Sequence, residues 1–80
     1  VAVRLVFLGK LADLAGAPEA EVVGPLDWNG LIEALPGPLG EVAKGEKVRL
    51  AVNGAVLSDK SALAAADGDE IALLPPVSGG

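Results

Sequence analysis

The sequence predicts an α+β fold of the β-grasp type: a mixed sheet of about four to five strands, one main helix and short helical turns. Three observations predict it. Apolar residues alternate with period two near both ends of the chain, a capped helical segment closed by Pro36-Gly37-Pro38 lies between them, and Asn53-Gly54 marks a tight hairpin in the second half. Eighty residues make one small domain, and a hydrophobic fraction of 51% is enough for a packed core.

The elements follow in order. Val1–Leu8 reads as a strand with Val3, Leu5 and Phe7 on one face and Arg4, Val6 and Leu8 on the other. Lys10–Ala15 carries Leu11 and Leu14 one turn apart and stops at Gly16, so a single helical turn is expected. Ala20–Val23 is a second short strand closed by Gly24-Pro25, and the two runs suggest an opening hairpin. Asp27 is the N-cap candidate of the main helix, which runs to about Leu35 with Leu31, Ile32 and Leu35 on its apolar face. Trp28 is expected over the helix start. Leu39–Ala43 can form one further turn, a reduced second helix. Val48–Val52 and Ala55–Leu57 flank Asn53-Gly54 as a hairpin. Ser58–Ala66 reads as a short helical or irregular crossing, Asp67-Gly68-Asp69 as a turn, and Glu70–Leu74 as the last strand, with Ile71 and Leu73 facing inward. Pro75-Pro76 cannot extend the ladder. The domain is therefore expected over 1–74, with 75–80 a flexible tail.

Composition removes whole classes of function. There is no Cys, so disulfides, zinc–thiolate sites and side-chain thiol catalysis are excluded. There is no His, the usual general base near neutral pH and the commonest imidazole ligand. Phe7 and Trp28 are the only aromatics, too few for a stacking platform. A net charge of -5 opposes phosphate backbones and suits a partner with a basic docking face. No nucleic acid and no membrane is therefore expected as a partner, since no apolar run approaches the ~20 residues that span a bilayer. With no signal-peptide pattern, the cytoplasm is the expected compartment, and the lack of Met suggests an initiator trimmed before Val1.

The chemistry points to the chain end. From Ile71 to Gly80 there is no charged side chain, so the only charge is the terminal carboxylate, ionised at neutral pH. An ionised carboxylate is a poor electrophile and becomes reactive as an acyl-adenylate formed with ATP. An enzyme doing this needs a small, neutral peptide that threads a narrow channel, and Gly79 and Gly80 let the backbone approach a nucleotide closely. Pro75 to Gly80 spans at most about 20 Å when extended, at roughly 3.3 Å per residue. Pro75 and Pro76 are expected to hold the base of the tail away from the sheet. A carrier without a thiol can hold sulfur as a thiocarboxylate on Gly80. Two glycines alone are also what any flexible end carries; the charge-free stretch after a double-proline stop sets this one apart.

Asp67-Gly68-Asp69-Glu70-Ile71-Ala72-Leu73-Leu74-Pro75-Pro76-Val77-Ser78-Gly79-Gly80 closely resembles the C-terminal signature of the molybdopterin synthase small subunit, the MoaD family of ubiquitin-like sulfur carriers. The run Val3–Gly16 resembles that family's opening strand and turn, and Leu50–Gly54 its middle hairpin. The resemblance implies adenylation by an E1-like (MoeB-like) activating enzyme that uses ATP, with no cofactor bound by the chain itself. It implies a Gly80 thiocarboxylate inserted into the large catalytic (MoaE-like) subunit, where precursor Z receives sulfur. Gly79 and Gly80 match the family's functional residues. Leu8, Val56 and Leu74 fall at its exposed hydrophobic contacts, and Pro75, Pro76, Val77 and Ser78 lie on the inserted tail. The family often has aromatics near Leu8 and at Leu73-Leu74, and commonly Arg where this chain has Ala12.

The residues support that contact surface independently. The outward face of the first and last strands would show Val6, Leu8, Ala72 and Leu74, with only Arg4 and Glu70 polar, and such apolar exposure usually marks an interface. Asp67 and Asp69 are read as turn residues, since a DGD turn falls far below a calcium loop in ligand count. Lys10, Lys44, Lys47 and Lys60 are read as solvated charges, any one of which could meet a partner carboxylate or be conjugated. Two alternatives stay open: a sulfur carrier for thiazole or cysteine synthesis, against which the double proline argues, and a ubiquitin-like modifier or binding module.

Overall fold

The computed structural model describes residues 2–35 and 37–75. Strand β1 (Val3–Phe7) buries Val3, Leu5 and Phe7 and turns Arg4 and Val6 away from the core, as expected of a strand with one face packed. Helix α1 (Lys10–Ala15) ends at Gly16, whose φ of 79° lets its N–H reach the carbonyls of Ala12 and Asp13. Strand β2 (Glu19–Val22) returns antiparallel to β1, one residue earlier than the expected Ala20–Val23. A two-residue strand β3 (Leu26–Asp27) leads into α2 (Trp28–Ala34), where the Asp27 carboxylate accepts the Gly30 N–H at 2.7 Å. Helix α3 (Leu39–Ala43) is the expected short second helix. Strands β4 (Arg49–Val52) and β5 (Ala55–Val56) turn through Asn53 and Gly54 at φ 50° and 88°, the positive pair that a type I′ hairpin requires.

The span expected as a helical or irregular crossing contains a 3-10 turn (Lys60–Ala62) and then a short strand, β6 (Ala64–Ala65), before β7 (Glu70–Leu74). Strand β6 pairs with β3 in a small second ladder, Leu26 opposite Ala65 and Asp27 opposite Ala64. This ladder ties the start of α2 to the segment beneath it.

The main sheet runs β2-β1-β7-β4-β5. Its central pair, β1 and β7, is parallel, and every other pair is antiparallel. This is the β-grasp, ubiquitin-like fold. Val3, Leu5, Phe7, Leu50, Ile71 and Leu73 form its inner face, and Leu11, Leu31, Leu35, Leu39 and Leu63 close over them as one continuous core. Among the described residues no helix is long and apolar enough to cross a membrane.

The turn aspartates work as turn residues. Asp67 accepts the Gly24 N–H at 2.7 Å; Asp69 accepts the Ala66 N–H at 2.9 Å and the Asn53 amide at 3.1 Å. Asn53 in turn accepts the Glu70 N–H at 3.0 Å, so the tip of one hairpin fixes the start of β7.

Candidate docking face and the base of the tail

Strand register builds the outer face of the sheet row by row. Val6 lies opposite Glu19 and beside Ala72, Ala72 faces Ala51, and Ala51 faces Val56. Four apolar side chains thus line up across the sheet, from one edge acid to the opposite edge strand. Neither Val6, Ala72 nor Leu74 joins the core or packs against it. Val56 is 54% exposed and Leu8, just past β1, is 42% exposed. Ala51 is only 7% exposed although it lies on this outer face; its small side chain sits between Ala72 and Val56 in the row. The expected grouping of Val6, Leu8, Ala72 and Leu74 on one face is therefore observed; the register adds Ala51 and puts Val56, expected from the family resemblance as an exposed contact, in the same row.

One end of this face is acidic. Arg4 lies beside Glu70 and opposite Glu21, and its guanidinium reaches Glu19 at 2.6 Å and Glu70 at 3.9 Å. The bond to Glu19, with its charge, raises the Arg4 pKa further above the usual arginine value. These are exposed pairs, and solvent screens them.

The other end carries the base of the tail. Leu8 continues the ladder by donating its N–H to Leu73 O at 3.4 Å, and Leu74 lies opposite Arg49. Pro75 is half-buried. Its ring lies beside Gly9, just past β1, where a Cβ would fall 3.3 Å from the Pro75 Cγ; the expectation that Pro75 and Pro76 hold the tail base away from the sheet rests also on Pro76, which lies outside the described residues. Gly9 is at φ 57°, a conformation that glycine accepts readily. The chain therefore leaves the domain between the end of β1 and the start of β4. Leu8, Val56, Leu74 and Pro75 lie on this face or at its end. Pro76, Val77, Ser78, Gly79 and Gly80, including the proposed reactive carboxylate, lie outside the described residues.

One lysine departs from its sequence reading. Lys60 is partly buried, and its ammonium donates to the carbonyl oxygens of Ala43 at 2.7 Å, Val48 at 2.9 Å and Gly45. It also sits 5.5 Å from the Trp28 ring centre. Burial pulls its pKa below the ordinary lysine value, and the Glu46 charge opposes that shift. Lys60 thus fastens the 3-10 turn to carbonyls at and beyond the end of α3, of which that of Gly45 also accepts the Val48 N–H at 3.3 Å. Nothing local in the sequence signals this, because the acceptors lie twelve to seventeen residues away.

The ThiS family profile matches residues 5–80 of the chain. No curated protein matches it. Among solved structures the chain is similar to SAMP1 from Haloferax volcanii, with 26% identity and a TM-score of 0.73 over all of both chains. It is similar to a putative molybdopterin converting factor, subunit 1, from Pyrococcus furiosus, with 29% identity and a TM-score of 0.72 over 96% of this chain and 99% of that one. A third likeness, with 25% identity and a TM-score of 0.67 over all of both chains, is to a complex of subunits 1 and 2 of molybdopterin-converting factor from Helicobacter pylori 26695.

Proposed function

Because the chain belongs to the ThiS family, we propose that it is a sulfur carrier that works through the Gly80 carboxylate, as the small, sulfur-donating subunit of molybdopterin synthase. It is not catalytic alone. An E1-like enzyme joins the carboxylate to the α-phosphorus of ATP, releasing pyrophosphate. Sulfur from a donor then displaces AMP from the acyl carbon and leaves a thiocarboxylate. That soft nucleophile bonds its sulfur to an electrophilic carbon of precursor Z, inside the large subunit in the cytoplasm, and water then cleaves the acyl–sulfur bond, leaving sulfur on the pterin and returning the Gly80 carboxylate.

The observation that carries this reading is the place where the chain leaves the domain. Pro75, the last described residue, follows Leu74 at the end of an apolar row in which Val6 and Ala72 are half-buried, Ala51 is buried and Val56 is exposed, with Leu8 exposed beside it. A partner seated on that row receives the tail directly. Supporting it, the chain brings no His or Cys, so the chemistry must come from elsewhere. The likeness to a subunit 1 bound to subunit 2 fits the same arrangement.

A second reading has one specific observation in its favour, the likeness to SAMP1, whose Methanosarcina acetivorans counterpart is described as a small archaeal modifier protein. In that reading the activated tail is joined to lysines of other proteins.

Intact mass after incubation with the activating enzyme, ATP and a sulfur donor tests the first step. A gain equal to exchanging one oxygen for sulfur is expected, and an unchanged mass with an active enzyme refutes the carrier reading. Deleting Gly79 and Gly80 is expected to abolish the gain without changing the melting curve. Co-purification of a large molybdopterin synthase subunit then favours the proposed pathway, whereas lysine-linked adducts favour the modifier reading.

A further inference from the structure

The cations of this acidic chain are sorted by position. Arg4 stands alone at the acidic end, held by Glu19 and Glu70. The other five are Lys10, Lys44, Lys47, Arg49 and Lys60. Two of those are occupied: Lys44 pairs with Glu41 at 3.5 Å, and Lys60 is engaged by three carbonyls and faces Glu46. The remaining three, Lys10, Lys47 and Arg49, are exposed. Among the described residues none of them makes an ion pair, Asp13 one turn along α1 included.

Their placement follows from the topology. Lys10 comes directly after Gly9, against which Pro75 rests. Arg49 lies opposite Leu74, the last residue of β7, and Lys47 precedes it by two residues. Cations without an ion pair among the described residues thus stand on both sides of Leu74 and Pro75, Arg49 on β4 and Lys10 beyond Gly9. A chain with a net charge of -5 thus holds three cations without an ion pair, among the described residues, close to the end of β7, with Glu46 and Asp59 lining the same hollow as Arg49.

We infer that Lys10, Arg49 and Lys47 form a cationic collar that docks on carboxylates around the mouth of the channel in the ATP-dependent activating enzyme. This inference rests on the carrier reading above. The electrostatic reason lies in the chemistry of adenylation. An acidic protein must push its own terminal carboxylate toward a bound triphosphate, so its overall charge slows the approach. Paired charges at the rim offset that repulsion and set the register of docking while the apolar row makes the contact.

The test is pyrophosphate exchange into ATP, supported by the intact chain and the activating enzyme of the same organism. Lys10→Gln combined with Arg49→Gln is compared with Asn29→Glu combined with Ala34→Glu, exposed positions on α2 across the core. Both double variants change the net charge by the same amount, and melting curves confirm that both fold. The collar variant is expected to lose roughly tenfold in kcat/KM, all of it in KM, with the gap to the parent closing as salt is raised. The α2 variant is expected to stay within about twofold of the parent. Equal losses in both variants, or none in the collar variant, overturn the collar. Failure of the parent chain itself to support exchange overturns the carrier reading instead.

Discussion

Replacing Lys60 by Met removes the ammonium and keeps most of the alkyl stem, which isolates its three bonds to the carbonyls of Ala43, Gly45 and Val48. Net values of about 0.5–1.5 kcal/mol per bond give a gross loss of about 1.5–4.5 kcal/mol. Losing the charge over Trp28 adds about 0.5–1 kcal/mol. Two effects work against this sum. Water can reach the freed carbonyls, and the cost of burying the ammonium, visible in its lowered pKa, is recovered. A net destabilisation of about 2 kcal/mol remains, within the range for lost charge-assisted bonds. In a domain of this size that corresponds to a fall in Tm of roughly 8–16 °C. Thermal and urea unfolding followed by far-UV circular dichroism measure it. Lys44→Met is the control, because it removes only an exposed pair, with an expected change below about 0.5 kcal/mol. If Lys60→Met proved no more damaging than Lys44→Met, the three bonds would contribute nothing and the fastening role would be wrong.

Three further outcomes are expected. The Asp59 carboxyl, bonded by the Ser61 hydroxyl and amide, and that of Asp69, bonded by the Ala66 amide and Asn53, are both held below the ordinary aspartate value of 3.8. Their contribution is therefore full above pH 3.8 and drains as pH falls through the lower folded values. Asp59→Asn with Asp69→Asn should flatten the acid decline in Tm; an equally steep decline counts against the assignment. Gly24→Ala should destabilise by about 1–3 kcal/mol, since its Cβ would stand 2.7 Å from Asp67 Oδ1 and 2.9 Å from Val3 Cγ2; an unshifted urea midpoint would show that the site relaxes freely. Leu31→Ala, at a fully buried position, should cost about 2–5 kcal/mol. That is a large share of the roughly 4–12 kcal/mol expected for a domain of this length. A loss below about 1 kcal/mol would mean that the core refills the cavity.

What the sequence made legible was local. The alternation in β1 and β7, the Asp27 cap, the Gly16 stop and the Asn53-Gly54 turn are each written within a few neighbouring residues. The β3–β6 ladder was not, because two residues carry no period and their partners are nearly forty positions away. The same holds for Lys60: a lysine beside a serine looks solvated until the fold brings carbonyls to it. At the docking face, the alternation assigned Val6, Leu8, Ala72 and Leu74 to one side correctly. Only the strand order could add Ala51 and set Val56, already named by the family resemblance, in the same row, since a row across the sheet depends on which strands are neighbours. Likewise, nothing near Gly9 in the sequence shows that the Pro75 ring comes to lie beside it.

The parallel pairing of β1 with β7 has a mechanical consequence. Strands that run the same way side by side, with the chain entering at one end and leaving at the other, carry a pull between the two termini as shear. Every rung of the ladder is then loaded together, whereas an antiparallel edge would unzip one rung at a time. Tension applied between the start of β1 and the end of β7 is thus shared by all four paired positions of that ladder, from Arg4–Glu70 to Phe7–Leu73.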